Sequence, residues 1–124
     1  MNPIISWFEI PATDFQRCIR FYEALLDVAL RREDMGPLKM AIFPKEADSG
    51  GAVVFMAEGQ GQQPGPMGTL VYLNGGDDLS APLARVESCG GAIIVAKTLI
   101  APEIGYFAVF RDSEGNHVGL FSPH

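Results

Sequence analysis

The order of apolar segments repeats once along the chain, and this repeat constrains the fold more than any other feature. In the first half, Ala41-Ile42-Phe43 is followed by a polar turn and Ala52-Val53-Val54-Phe55. In the second half, Ala108-Val109-Phe110 is followed by a polar turn and Val118-Gly119-Leu120-Phe121. Short apolar runs bounded by polar turns are typical of strands. The match therefore predicts two copies of one supersecondary unit.

The first copy opens with a strand and a helix. The β-branched and aromatic run Ile4–Ile10 ends at Pro11 and predicts a strand. Thr13 and Asp14 are both good helix caps, and Thr13 with Gln16 has the form of a capping box. An apolar stripe at helical spacing follows, formed by Phe15, Cys18, Ile19, Tyr22, Leu25 and Leu26. Strands are then expected at Leu38–Phe43 and Ala52–Met56, with a weaker one at Val28–Arg32.

The second copy repeats this order after a Gly- and Pro-rich segment. Leu70–Asn74 predicts a strand and Gly75–Asp78 a turn that carries a helix cap. A short helical stripe follows at Leu79, Leu83 and Val86, and Ala92–Ala96 predicts a further strand.

Each half is thus strand, helix and three strands, which predicts an α+β fold of two βαβββ modules. We expect modules at residues 1–57 and 69–124, joined by a linker at 58–68, within one domain. A single helix covers one face of its sheet, so two modules can place their uncovered faces together. The expected result is a curved mixed sheet around a cleft, and clefts between modules are where small ligands bind.

Composition narrows the function classes. The 124 residues include 15 acidic and 9 basic side chains, a net charge of −6, which makes nucleic acids and anionic membranes poor partners. No long apolar run and no secretory signal pattern is present, so a cytoplasmic location is expected. Cys18 and Cys89 lie in predicted helices without a CxxC or Cys/His cluster, which indicates free thiols.

Three segments resemble the vicinal oxygen chelate superfamily, which includes glyoxalase I, bleomycin-resistance proteins and extradiol dioxygenases. They are Trp7–Asp14, the pair Phe21-Tyr22, and the turn Asp112-x-x-Gly115-Asn116 before the last strand. Leu70–Leu79 and Lys97–Tyr106 also look like a glyoxalase-related bacterial branch. The resemblance covers nearly the whole chain.

The resemblance implies a divalent metal held by His and Glu, but the matching positions carry other residues. They are Trp7, Leu70 (or Thr69), Gly119 and the apolar segment Val53–Phe55. The indole of Trp7, aliphatic side chains such as that of Leu70, and the side-chain hydrogen of Gly119 do not ligate a divalent ion. We therefore expect no metal and no other cofactor.

Strand alternation predicts which side chains face the cleft. In the first strand these are Trp7 and Glu9, and Glu9 between aromatic neighbours is a candidate base with a raised pKa, or else a solvated carboxylate at the rim. In the fifth strand they are Tyr72 and Asn74, although Asn74 also suits the start of the turn. His117 is a candidate proton donor or acceptor, or an exposed residue at a strand end.

Two further candidates complete the predicted site. Phe121 lies on the same strand face as His117. Lys97 and Glu103 flank Thr98–Pro102, a segment expected to be a loop over the cleft mouth, where Lys97 either binds a ligand anion or pairs with Glu103.

The leading hypothesis is a metal-free protein that binds a flat or amphipathic small molecule in an aromatic cleft. The alternative is an enzyme: one of glyoxalase or dioxygenase type, which the resemblance implies, or a metal-independent acid–base catalyst using Glu9 with His117 or Lys97. A third is a structural or regulatory module. The resemblance also implies a homodimer.

Overall fold

The computed structural model describes residues 4–44, 50–57 and 61–124. The turn expected between the third and fourth strands and the start of the expected linker therefore lie partly outside the described residues. The elements are β1 (Trp7–Pro11), α1 (Phe15–Leu26), β2 (Arg31–Met35), β3 (Leu38–Ile42), β4 (Gly50–Met56), β5 (Tyr72–Asn74), α2 (Ser80–Leu83), β6 (Ala92–Ala101), β7 (Gly105–Arg111) and β8 (His117–Ser122).

These strands form two four-stranded sheets with the same topology, in the orders β1-β4-β3-β2 and β5-β8-β7-β6. In each sheet the first strand runs parallel to the fourth, and the remaining pairs are antiparallel. The predicted α+β fold of two βαβββ units is confirmed, whereas the boundaries given above for the modules and linker remain a prediction.

The repeat is visible in the registers as a buried row that crosses three strands of each sheet. The rows are Ile10, Val53 and Ala41 in the first sheet and Leu73, Leu120 and Ala108 in the second. All six are buried, with the small alanine on the same strand in both rows. The two halves therefore share a packing pattern as well as an order of elements.

Helix α1 forms because its apolar stripe packs into the core and its N-terminus is capped. Asp14 caps it by accepting a hydrogen bond from the Arg17 backbone N–H at 3.1 Å. The predicted capping box at Thr13 is wrong, because the Thr13 hydroxyl donates to Glu114 in the other half of the chain. The stripe buries Cys18, Ile19, Phe21, Tyr22 and Leu25.

Two other segments differ from expectation. The helix after β5 is a single turn, Ser80–Leu83, followed by hydrogen-bonded turns to Gly91, and its predicted stripe is buried. The prediction of a loop at Thr98–Pro102 is wrong, because strand β6 continues to Ala101. Thr98 pairs with Phe107 and Leu99 with Tyr106, and the turn comes only at residues 102–104. No lid covers the cleft from this segment.

Cys18 is buried and Cys89 half-buried, and both are free, as predicted. Burial raises the pKa of the Cys18 thiol. Among the described residues, no helix is both long and apolar enough to cross a membrane.

The turn between β7 and β8 joins the second sheet to α1. The buried Asp112 carboxylate accepts a hydrogen bond from the Tyr22 hydroxyl at 2.7 Å and one from the Asn116 side-chain amide at 3.0 Å. Asn116 also donates to the Pro11 carbonyl oxygen at 2.8 Å. Burial, together with the charge of Asp112, raises the pKa of Tyr22. Tyr22, Asp112 and Asn116 belong to the motifs quoted above, so these motifs form the joint between the halves.

Glu114, in the same turn, binds the N-terminus of α1. Its carboxylate accepts from the backbone N–H groups of Thr13 and Asp14 at 2.9 and 2.8 Å, from the Thr13 hydroxyl at 3.0 Å and from the Ser113 hydroxyl at 2.8 Å. Arg17 donates to it twice, at 2.7 and 3.0 Å. Burial alone would raise the pKa of Glu114, but these donors outweigh it and lower the pKa to about 2.

We expect Glu114→Gln to destabilise the fold by about 2 kcal/mol near neutral pH, because Arg17 and the helix N–H groups lose a charged acceptor. The full pKa shift overstates the loss, since the Arg17 side chain is 47% exposed and water screens the pair. The folded pKa lies below the ordinary value of 4.5, so this stabilisation is present above pH 4.5 and falls as the pH drops toward 2.

Urea unfolding between pH 2.5 and 7 measures both effects. Glu87→Gln, which removes an exposed carboxylate, is the control and should leave stability and its pH dependence unchanged. An E114Q variant with parental stability at every pH would show that the joint contributes nothing.

Candidate functional site

The predicted cleft residues of β1 lie on the face of the sheet turned away from α1, here called the open face. Ile10 is 3% exposed and Phe8 packs against the core, as predicted for the opposite face. Trp7 is 40% exposed and Glu9 is also exposed. The alternation predicted for this strand therefore holds.

The second sheet has the same two-sided arrangement. Leu73 of β5 and Val118 and Leu120 of β8 are buried in the core. Tyr72 and Asn74 of β5 are exposed. On β8, the positions that alternate with the core residues are His117, Gly119 and Phe121.

A cavity of about 460 Å³ lies where β1, the segment before β5 and the start of β8 meet, and we call it the junction cavity. Its lining includes Glu9 and His117, the two predicted acid–base residues, together with Val109 of β7 and Leu70. Residues Gln62–Val71, apart from Pro64, form the rest of one wall. The structure thus brings Glu9 and His117 into one cavity from different sheets.

Asn116 connects the three segments that form this cavity. It donates to the Pro11 carbonyl oxygen, as described above, and its own side-chain oxygen accepts from the Gly65 backbone N–H at 3.1 Å. Asn116 also lines the cavity. One side chain therefore ties the end of β1 and the wall segment to the start of β8.

A second depression of about 610 Å³ lies farther along the open face, beside β5, and we call it the β5 depression. It is lined by Tyr72, Asn74, Asp77 and Phe121, with Leu73, Gly76 and Pro123. Three predicted ligand residues are therefore together here, but not in the junction cavity. His117 and Phe121 lie on the same face of β8 and connect the two depressions.

Tyr72 lies flat against the backbone of β8. A Cβ atom at Gly119 would be 2.4 Å from the Tyr72 ring, so the ring requires glycine there. The ring also contacts Phe107 edge to face, with centroids 6.4 Å apart. Tyr72 thus occupies the space that a side chain at position 119 would need.

The residues at the family's metal positions do not fit a divalent ion. Trp7, Leu70 and Gly119 offer no ligand atoms, and a glutamate at 119 would collide with Tyr72. Within residues 4–44, 50–57 and 61–124, no group of three or more His, Cys, Asp or Glu side chains could hold a metal.

Glu9 lies next to Trp7 without being desolvated. The Trp7 indole N–H donates to the Glu9 carboxylate at 3.3 Å. The carboxylate is nevertheless exposed, so the burial expected from its aromatic neighbours is not found in the single chain. His117 is half-buried in the junction cavity.

Lys97 is placed apart from the other predicted site residues. Its ammonium group donates to Asp78 at 2.9 Å and lies 4.5 Å from the centroid of Tyr106, a residue that packs against the core. The ion pair is with Asp78, and the pairing with Glu103 considered above is not observed. Lys97 and the Ser80 backbone N–H hold the pKa of Asp78 well below its usual range. Lys97 therefore neutralises a carboxylate beside α2.

Sequence reasoning missed three components of the site. Phe107 contacts Tyr72, Asn116 fixes the cavity wall, and the segment Gln62–Leu70 forms that wall. The signal for Asn116 was its place in the motif before β8. The Gly- and Pro-rich segment has no periodicity that could have placed it.

Comparison with known protein families identifies the superfamily of this chain. The model of the Glyoxalase/Bleomycin resistance protein/Dioxygenase superfamily matches residues 4–120. The chain belongs to this superfamily. A "Glyoxylase-like domain-containing protein" from Didymella fabae is 30% identical over 118 residues, which cover 90% of this chain and 88% of that protein.

Solved structures of superfamily members have the same fold. A glyoxylase/bleomycin resistance protein/dioxygenase domain from Frankia sp. EAN1pec has a TM-score of 0.74 at 14% identity, with both chains covered completely. TnmS3, described as an antibiotic binding protein from Streptomyces sp. CB03234, has a TM-score of 0.69 at 24% identity over 99% of this chain and 98% of that one.

Proposed function

We propose that this superfamily member binds a small planar aromatic molecule on the open face without a metal ion, in the junction cavity and across to the Tyr72 ring of the β5 depression. The observation that carries the proposal is the Tyr72 ring packed on Gly119, where the family resemblance implies a metal-binding glutamate. The rings of Tyr72 in the β5 depression and of Trp7 beside Glu9, with a few polar groups between them, favour a flat organic ligand.

The surroundings of the cavity support the same class of ligand. Trp7 and Tyr72 are 40% and 49% exposed on the open face, so both rings present surface that a ligand can contact. TnmS3, described as antibiotic binding, shows that the fold can serve binding.

A fluorescence screen of planar aromatic compounds tests this function. Trp7 is the only tryptophan and lies beside Glu9, so a ligand in the junction cavity should change its emission. Gly119→Ala should weaken binding of each hit about fivefold, because the new methyl group displaces the Tyr72 ring and one aromatic contact contributes about 1 kcal/mol.

Gly51→Ala is the matched control. A Cβ atom at Gly51 would be 2.3 Å from the Phe8 ring, on the core face of the first sheet. This variant should lose stability but keep ligand affinity. If no compound changes Trp7 emission, or if both variants weaken binding equally, the proposed site is wrong.

A second candidate function is metal-independent acid–base catalysis, favoured by the placement of Glu9 and His117 in one cavity. For any uncharged hit that is converted to a product, Glu9→Gln should lower kcat at least 100-fold and leave Kd within threefold, because Gln preserves shape but cannot accept the proton. Product formation by mass spectrometry measures this. Unchanged kcat would remove Glu9 from the mechanism.

We also propose a homodimer in which the β6 edges of two copies meet. β6 is the last strand of its sheet and carries five exposed aliphatic side chains on it or in the turn after it: Ile93, Ile94, Leu99, Ile100 and Ile104. The other edge strand, β2, is charged at four of its five residues. Long apolar edges associate unless they are protected, and charge is one common protection.

Charge and size also favour a second copy of this chain as the partner at the β6 edge. Two copies of net charge −6 repel, but the only charged residue of β6 is Lys97, which is already paired with Asp78. A ten-residue strand is about 33 Å long, so a contact about 25 Å wide reaches the ~800 Å² per partner of a standard interface.

Light scattering should give about twice the 13.4 kDa of one chain at micromolar concentration. Ile94→Lys should shift the mass to that of one chain, because the new charge would be buried between copies. Met35→Lys, on the exposed β2 edge, is the control and should leave the dimer intact. A parent that is monomeric, or an I94K variant that remains dimeric, would contradict this interface.

A further inference from the structure

The charged groups that line the two open-face depressions are of one sign. The junction cavity has one carboxylate, Glu9, and the β5 depression has another, Asp77. Neither described lining includes a lysine or an arginine. The junction cavity lining also contains His117, whose imidazole is neutral or cationic and never anionic.

Several cations elsewhere in the described chain are held by carboxylates. Arg17 pairs with Glu114, Lys39 with Asp34 and Lys97 with Asp78. Arg111 lies opposite His117 in the register of β7 and β8, but it does not line the junction cavity. Lys97, the cation that the sequence placed near a ligand, is therefore directed away from it.

A ligand that covers the Glu9 carboxylate must compensate the negative charge that it desolvates. A neutral molecule over Glu9 would strip water from the charge without replacing it, which is unfavourable. A positively charged group would compensate the carboxylate, and the adjacent indole of Trp7 can attract the same cation through its ring face. The net charge of −6 would also speed the approach of a cation.

We infer that the ligand of the junction cavity is a planar aromatic amine, bound as its ammonium form, with the positive charge at Glu9 and the ring along Trp7 and Leu70. This inference rests on the proposed function and adds the charge of the ligand to it. It assigns Glu9 a binding role that needs no proton transfer.

Three probes that share one ring separate charge from shape: 1-naphthylmethylamine, 1-naphthylmethanol and 1-naphthoate. Calorimetry at 20 mM salt should give a Kd for the amine at least tenfold below that of the alcohol, with the carboxylate weakest. At 500 mM salt the advantage of the amine should shrink, because salt screens an exposed carboxylate.

Glu9→Gln should remove the advantage of the amine and leave the Kd of the alcohol within twofold. Glu9 is exposed, so the variant keeps the fold. Glu103→Gln changes the net charge by the same amount at an exposed position and should preserve the preference. This control separates a local carboxylate from the general negative field.

The outcomes distinguish this inference from the function on which it rests. If the three probes bind equally, if the carboxylate binds best, or if the amine keeps its advantage in the E9Q variant, the charge assignment is wrong while aromatic binding stands. If none of the three binds, both the charge assignment and the aromatic site are wrong.

Discussion

The turn between β7 and β8 holds the two halves of the molecule together, because its two carboxylates bind one helix in two different ways. Asp112 accepts the Tyr22 hydroxyl from the middle of α1, in a fully buried position. Glu114 accepts the free N–H groups at the start of the same helix and pairs with Arg17. A negative charge at a helix N-terminus is favourable, and here the opposite half of the chain supplies it. The first helix is thereby fixed against the second sheet.

This joint lets both sheets share one core. Tyr22 contacts Phe43 of the first half and Phe110 of the second, with ring centroids 5.6 and 6.3 Å apart. This packing covers the core faces of both sheets, whereas Trp7 and Glu9 of β1 and Tyr72 and Asn74 of β5 are exposed on the open faces. The faces that stabilise the core are therefore opposite to the face on which we propose that the ligand binds. The two glycines show the separation, since Gly51 accommodates the ring of Phe8 on the core side and Gly119 that of Tyr72 on the open side.

Short-range pattern predicted most of the strands and the face on which each side chain lies, because alternation is a property of the strand itself. It failed where contacts with residues distant in sequence determine the local structure. The capping box predicted from the sequence assigns the Thr13 hydroxyl to its own helix, but in the folded chain this hydroxyl donates to the charged Glu114 carboxylate at 3.0 Å. The sequence predicts a loop at Thr98–Pro102, yet pairing with β7 extends the strand to Ala101. The cavity wall before β5 has no periodicity, so only the fold could place it.

The residues that replace the family's metal ligands explain why the site has a different character. A metal site concentrates positive charge, which attracts anionic or polarisable oxygen groups. Here the ring of Tyr72 excludes a carboxylate at position 119, and the indole of Trp7 stands at the matching position on β1. The positions at which the resemblance implies metal ligands do not supply them, and the Glu9 carboxylate lies beside the indole. If the proposed metal-free function is correct, a cleft with a carboxylate and no positive centre has the opposite electrostatic preference to a metal site: it attracts a cation and repels the anionic groups that a metal attracts.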